Sequence, residues 1–335
     1  MAIMQQVLFE VAAPYYGHPY AVTGHALFNA LARRVDAGMR RDLRVSHGVF
    51  VPKEFGEYPR AHSRSGYAGK LGGSLPEMDA YEDLFVYRDP SQRWLQAGRP
   101  RDAHNTHDLQ SFGGRLAFAP ESYFGRPPET RNHKRSVSWY LHCYLHTGCG
   151  ESSPLPLAES VLDGLRVGGG RNYGFGELSV ADTQLVNLDA LDYSRIRAGA
   201  ASDAGRCQLE LVTPYVLESE FPGADDQSVP WWWERDHDAV SGVSGESVLR
   251  RRDTQLAVDG TTHNLEVVDH GQVVGFAGDD AVETAKNGVL RVGTHAKYGF
   301  GELRVRPPGV DRVPKRRMPK DRVDWRHHGD GGEGV

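Results

Sequence analysis

The sequence predicts an α+β protein of two tandem units, each ending in the same glycine-rich loop, with a long irregular insertion in the first. Residues 165–180 read LRVGGGRNYGFGELSV and residues 290–305 read LRVGTHAKYGFGELRV, matching at 11 of 16 positions 125 residues apart. A repeat that wide has the size of a domain, not of a solenoid unit. A chain of 335 residues is long for one hydrophobic core and suits two. Segments of period 2 and of period 3.6 both occur, so strands and helices are mixed.

In the first unit, residues 4–13 read as a strand, with Val7, Phe9 and Val11 on one face. A polar, aromatic loop follows. HALFNALARRVDAGM, from His25, reads as one helix with Leu27, Ala30, Leu31 and Val35 on its apolar side, Thr23 as N-cap and Gly38 as stop. LRVSHGVFVP (43–52) is a second strand closed by Pro52. From about 53 to 135 periodicity dissolves into Gly, Pro, Ser, Asp and mixed charge, a length that points to a functional or a mobile insertion. SVSWYLHCYLH (136–146) restores a strand, and a helix is expected at 156–165 before the first glycine-rich phrase.

The first unit is expected to span 1–185, a linker 186–205, and the second unit 206–306, opening with the strand CQLELVTPYVL. GQVVGFAG (271–278) and a strand running into the second phrase close it. Residues 307–335 carry Pro, Gly and charge without apolar periodicity and read as a disordered tail.

Composition narrows the function classes. Apolar residues at 39% and charged residues at 25% suit a soluble globular protein, and a net charge of −5 excludes a global basic field. Seven Lys leave 32 Arg among 39 basic residues, and arginine forks suit local phosphate contacts. Cys143, Cys149 and Cys207 form no CxxC and suit a reducing cytoplasm. The first residues lack the pattern of a signal peptide, and no run is long enough to span a bilayer, so a cytoplasmic location is expected.

Both phrases read as strand, loop, strand. A phosphate-binding P-loop and a dinucleotide fingerprint each need a following helix, so both are excluded. What remains is a glycine loop whose backbone can form an anion nest, with Arg171 and Lys297 as cations and Tyr173 and Tyr298 as stacking faces. Such a loop can equally use its glycines only to pack against a neighbouring helix. The strand at 136–146 adds Tyr140, His142, Tyr144 and His146 on one face, opposite Val137, Trp139, Leu141, Cys143 and Leu145. A wet aromatic face on an open sheet is how RNA-recognition-motif folds stack bases.

These segments resemble the RAMP superfamily of CRISPR-associated proteins, whose signature is a glycine-rich loop near the domain end. GGGRNYGFGEL and GTHAKYGFGEL look like that loop. TGHALFNAL, LRVSHGVFVP, RNHKRSVSWYLHCYLH and GQVVGFAG resemble segments of the subunits that hold the 5′ handle of CRISPR RNA in type III-like effector complexes. The similar segments cover about a third of the chain.

The resemblance implies two ferredoxin-like, RRM-type domains, no cofactor and no metal. It implies CRISPR RNA and other effector subunits, backbone and large, as partners. RNA-binding positions would be Gly168, Gly169, Gly170, Arg171, Asn172, Tyr173, Gly174 and Gly176 in the first loop. In the second they would be Gly293, Lys297, Tyr298, Gly299 and Gly301. Arg131, Lys134, Arg135, Tyr140, His142 and Tyr144 would add to them. The insertion would be a thumb, with Lys53, Arg60, Arg64, Lys70, Arg99, Arg101 and Arg115 along RNA, although Glu77, Asp79, Glu82 and Asp83 interrupt the basic series.

A sister group cleaves precursor CRISPR RNA without metal, using a general base and a general acid. The candidates for that chemistry are His25, His47, Tyr16 and His18. Two glycine loops favour holding over cutting. His142 and His146 lie four apart, which suits metal ligation on a helix but not on a strand. The WWW run at 231–233 reads as a plug anchoring a loop. A two-domain binding protein unrelated to RNA is the third reading.

Overall fold

The computed structural model describes residues 2–17, 21–52, 74–88, 109–112, 115–117, 139–147, 155–201, 207–222, 233–234, 251–291 and 294–307. It is an α+β protein with antiparallel sheets and short helices.

The first half contains β1 (Ile3–Val11), β2 (Ala21–Val22), α1 (Gly24–Leu31), α2 (Ala37–Asp42), β3 (Leu43–Val45) and β4 (Gly48–Pro52). A 3-10 turn at Tyr81–Phe85 and the pair β5 (Leu109–Phe112) and β6 (Arg115–Ala117) follow. Then come β7 (Trp139–Thr147), α3 (Glu159–Leu162), β8 (Leu165–Arg166) and β9 (Glu177–Asn187). The main sheet runs β2-β4-β7-β1-β9-β8, with β3 also on β7.

The alternation in β1 sets the layers. Val7, Phe9 and Val11 join Leu141, Cys143 and Leu145 of β7 under Leu27, Phe28 and Leu31 of α1. Thr23 caps α1 as expected, its Oγ1 accepting from the Ala26 N–H. The single long helix expected here is two. The chain turns after Leu31, and Asp36 caps α2 by accepting from the Met39 N–H, so Gly38 lies inside α2 and does not stop α1. On the helix side, Gln5 pins the approach to α3 through bonds with the Leu157 carbonyl and N–H.

The second half contains α4 (Ser194–Ala200), β10 (Gln208–Leu211), β11 (Tyr215–Ser219), β12 (Trp233–Glu234), β13 (Arg251–Val258) and β14 (Thr261–Val268). It closes with β15 (Val273–Phe276), α5 (Ala281–Leu290) and β16 (Leu303–Arg306). Its sheet runs β12-β15-β10-β16. This repeats the order β4-β7-β1-β9, with the last strand of each half beside the first, antiparallel throughout. The halves differ after their first strand: one sends out the short β2 and then α1, the other β11 of a separate sheet, β11-β14-β13. An Asp259-Gly260 turn with positive φ at both residues joins β13 to β14, the geometry that two-residue hairpins favour.

Two expectations need correction. The stretch 186–205 is not a bare linker. Asn187 ends β9, and α4 packs Ile196 into the second core. The second phrase is not entered from a strand: Leu290 ends α5, whose buried Ala281, Ala285, Gly288 and Val289 follow helical spacing. The phrase opens with LRV in both copies, so local sequence alone did not separate helix from strand. The insertion residues Lys53, Arg60, Arg64, Lys70, Arg99 and Arg101 lie outside the described residues, as do Trp231, Trp232 and the tail. For Arg115 and Trp233 only the backbone is described, in β6 and β12.

The other face of the first sheet is covered too. Residues 74–88 cross it as a strap. Leu75 N–H donates to Asp182 at 2.7 Å, and Gln184 donates to the Pro76 carbonyl at 2.8 Å. The same strap meets the second half, where Val305 N–H donates to Tyr81 Oη at 3.1 Å. The halves also touch directly at α1. A Cβ at Gly24 would sit 2.5 Å from both the Tyr298 and Val45 carbonyl oxygens. Gly24→Ala must therefore separate backbone from backbone, with an expected loss of about 1–3 kcal/mol. Gly38→Ala, in the exposed α2, should be near neutral or slightly stabilising. Urea melts of the two variants check this, and equal midpoints would contradict the packing.

Candidate nucleic-acid interface

The two glycine-rich phrases fold into similar loops set in opposite environments. In the first, β8 leads to a 3-10 turn at Arg171–Tyr173 and then to β9. Gly176 has φ +71°, and a Cβ there would lie 1.8 Å from the Val167 carbonyl, so only glycine closes the loop. The base of the loop rests on Tyr16, whose carbonyl accepts from the Gly169 N–H at 2.6 Å. Its tip is open. Tyr173 is 76% exposed, and Arg171 and Asn172 are exposed beside it. The Arg171 side chain forms no ion pair among the described residues.

In the second loop the equivalent tyrosine is only 5% exposed. Tyr298 meets Phe28 and His25 edge to face, each at 5.4 Å between ring centroids. Lys297 lies over the Phe28 ring at 4.8 Å, and burial draws its pKa down. Gly299, at φ +87°, brings the backbone against His47: a Cβ would be 2.5 Å from Nδ1. The second loop is thus packed on α1 and on the β3–β4 turn, where its glycines serve close approach. The expectation that Lys297 and Tyr298 present a free cation and a free stacking face is corrected by this packing. Gly301 also has positive φ, and Gly293 lies outside the described residues.

Each copy also carries an Arg–Glu pair across its base, which the sequence reading passed over. Arg166 reaches Glu177 at 2.8 Å on the surface. The equivalent Arg291 stands 3.9 Å from Glu302, and both are fully buried. Arg88, from the end of the strap, adds Nε at 2.8 Å from the same carboxylate. Burial raises the pKa of Glu302 while the two guanidiniums pull it back, and burial pushes Arg291 down to about 10. The signal was present: Arg and Glu recur eleven residues apart in both phrases.

The aromatic face of β7 is not wet. Tyr140, His142 and Tyr144 are all buried, with His142 at 0% exposure. His142 stacks on Tyr87 at 4.8 Å, Tyr144 donates to the Leu84 carbonyl, and Arg88 lies 4.8 Å over the Tyr144 ring. Period-2 alternation identified this face correctly, but the strap that covers it lies more than fifty residues upstream.

The acid–base candidates divide. His47 has its Nδ1 enclosed, and burial, with Arg88 and Arg291 nearby, pushes its pKa down to about 3. His25 is half-buried, pairs with Asn29 at 2.9 Å and is drawn down by burial against a backbone bond to Ala257. His25 faces Tyr298, whereas His47 faces Gly299 and Phe300. Tyr16 packs near Phe175 under the first loop, and His18 lies outside the described residues. Arg131, Lys134 and Arg135 lie outside them as well. Among the described residues no three His, Cys, Asp or Glu side chains gather to hold a metal ion, and no helix is long and apolar enough to cross a membrane.

No family model matches the chain, and no curated protein matches it.

The buried histidines give the seam between the halves a pH dependence. Burial holds His142 and His146 well below their ordinary 6.5, and His295 at about 4. These groups stay neutral in the folded chain, while the unfolded chain binds protons below about pH 6.5. Their contribution is complete above that pH and is lost as pH falls toward the folded values, by up to ~1.4 kcal/mol per pH unit for each ring. Urea melts should therefore weaken steeply between pH 6.5 and 4.5. His142→Phe should show a shallower fall, and identical slopes would place His142 outside the seam.

Proposed function

We propose that this chain is an RNA-holding, non-catalytic subunit of a CRISPR-associated effector complex, gripping the 5′ handle of a CRISPR RNA with its first glycine-rich loop. The observation that carries the reading is the contrast between the loops. The first keeps an exposed Tyr173 and an unpaired Arg171 on a rigid glycine scaffold. Stacking faces beside arginine forks suit a single strand and its phosphates.

The doubled strand order supports two ferredoxin-like units, since each half places its first strand between its third and its last. The second unit departs from that pattern, with β11 where a first helix would stand. The second loop acts as an internal joint, so RNA contact falls to the first. The half-buried His25 beside Tyr298 and Asn29 favours RNA cleavage as the second reading.

Fluorescence anisotropy with a short single-stranded CRISPR repeat RNA tests this. Arg171→Ala should weaken binding and lower the salt slope by about 0.7. Lys297→Ala should lower the melting temperature and leave the slope unchanged. An unchanged slope in Arg171→Ala contradicts the reading. Clean cleavage of a repeat hairpin in EDTA, abolished by His25→Ala, favours the enzyme instead.

A further inference from the structure

Four arginines meet in one hollow behind the first loop. The hollow has a volume of about 640 Å³ and lies between the end of α1, β8 and the 3-10 turn of the loop. Arg33, Arg34, Arg166, Arg171 and Asn172 line it, and none of its lining residues is acidic. Four guanidiniums gathered here have one carboxylate partner among the described residues, Glu177 on Arg166, and their mutual repulsion favours an anion that completes the set.

Two of the four are held in place by the fold. Arg34 donates to the carbonyls of Val161, Asp163 and Gly164, stapling the α3–β8 turn to the end of α1. Arg166 is fixed by Glu177 and by the Arg171 carbonyl at 3.4 Å. The nearby acids are engaged: Glu177 pairs with Arg166, and Asp163 accepts from the Val180 N–H at 2.9 Å. Arg33 and Arg171 are exposed and have no ion pair among the described residues. The result is two anchored cations forming a wall and two unpaired forks beside it, with the Asn172 amide as a further donor.

We propose that this hollow is a binding site for a phosphate group. A tetrahedral dianion accepts from several planar forks at once, and arginine offers paired donors at the right spacing. The site shares Arg171 with the RNA reading but does not require RNA. The phosphate can come from an RNA strand or from a free mononucleotide.

Isothermal titration of the full chain with inorganic phosphate, at constant ionic strength against chloride, tests the site. Wild type should bind phosphate, and Arg33→Gln should bind about tenfold more weakly, the loss of one charge-assisted contact. Arg33 is exposed and outside both cores, so the variant should fold, and an unchanged melting temperature checks that it does. Adenosine should give no heat where adenosine 5′-monophosphate does. Displacement of phosphate by single-stranded RNA assigns the site to a strand, and displacement by the mononucleotide alone assigns it to a free nucleotide. No phosphate-specific binding, or binding equal in wild type and Arg33→Gln, overturns the proposal. RNA binding that ignores both saturating phosphate and Arg33→Gln overturns it while leaving the RNA reading standing. Phosphate binding without any RNA binding does the reverse.

Discussion

One buried carboxylate organises the middle of this molecule. Glu302 is fully enclosed, and an isolated charge in that position is untenable without partners. Its two partners come from separate pieces of chain: Arg88 ends the strap that crosses the first sheet, and Arg291 ends α5 in the second half. One anion therefore ties the strap, the last helix and the last strand. Such a cluster adds little net stability over an apolar plug, but removing one member strands the others as buried charges. Its value lies in orientation. With Arg88 fixed, its guanidinium covers Tyr144, while burial and the nearby positive charge keep His142 neutral.

That constraint explains why the two glycine-rich loops have parted. The second loop lies immediately beside Glu302 and is drawn into the seam, where Tyr298, Lys297 and Gly299 all find partners on α1 and the β3–β4 turn. The first loop has the same Arg–Glu pair, but on the surface and without a third partner. Its tip is left to solvent. The shared Tyr-Gly-Phe-Gly-Glu-Leu core thus has its tyrosine buried in one copy and exposed in the other, and the four residues before that tyrosine also differ between the copies.

The framework was readable from local pattern. The strands around Val7 and Leu141, the Thr23 cap and the repeat follow from periodicity and glycine, whereas the single strand expected over 43–52 is broken into β3 and β4, and the one expected over CQLELVTPYVL into β10 and β11 of separate sheets. What escaped local reading was contact between distant segments. The alternating face of Tyr140, His142 and Tyr144 looks the same in sequence whether water or a strap covers it. The entry to the second phrase read as a strand because only the last residue of α5, Leu290, lies in the repeated phrase. Arg33 and Arg34 fall inside the single helix expected from His25, where two charges carry no signal; only the fold brings them to Arg166 and Arg171.

The most direct measurement of the divergence between the loops is ultraviolet cross-linking of bound single-stranded RNA, followed by peptide mapping. The account predicts adducts in the segment containing Tyr173 and none at Tyr298. Adducts concentrated at Tyr298, with Tyr173 unmarked, would contradict it.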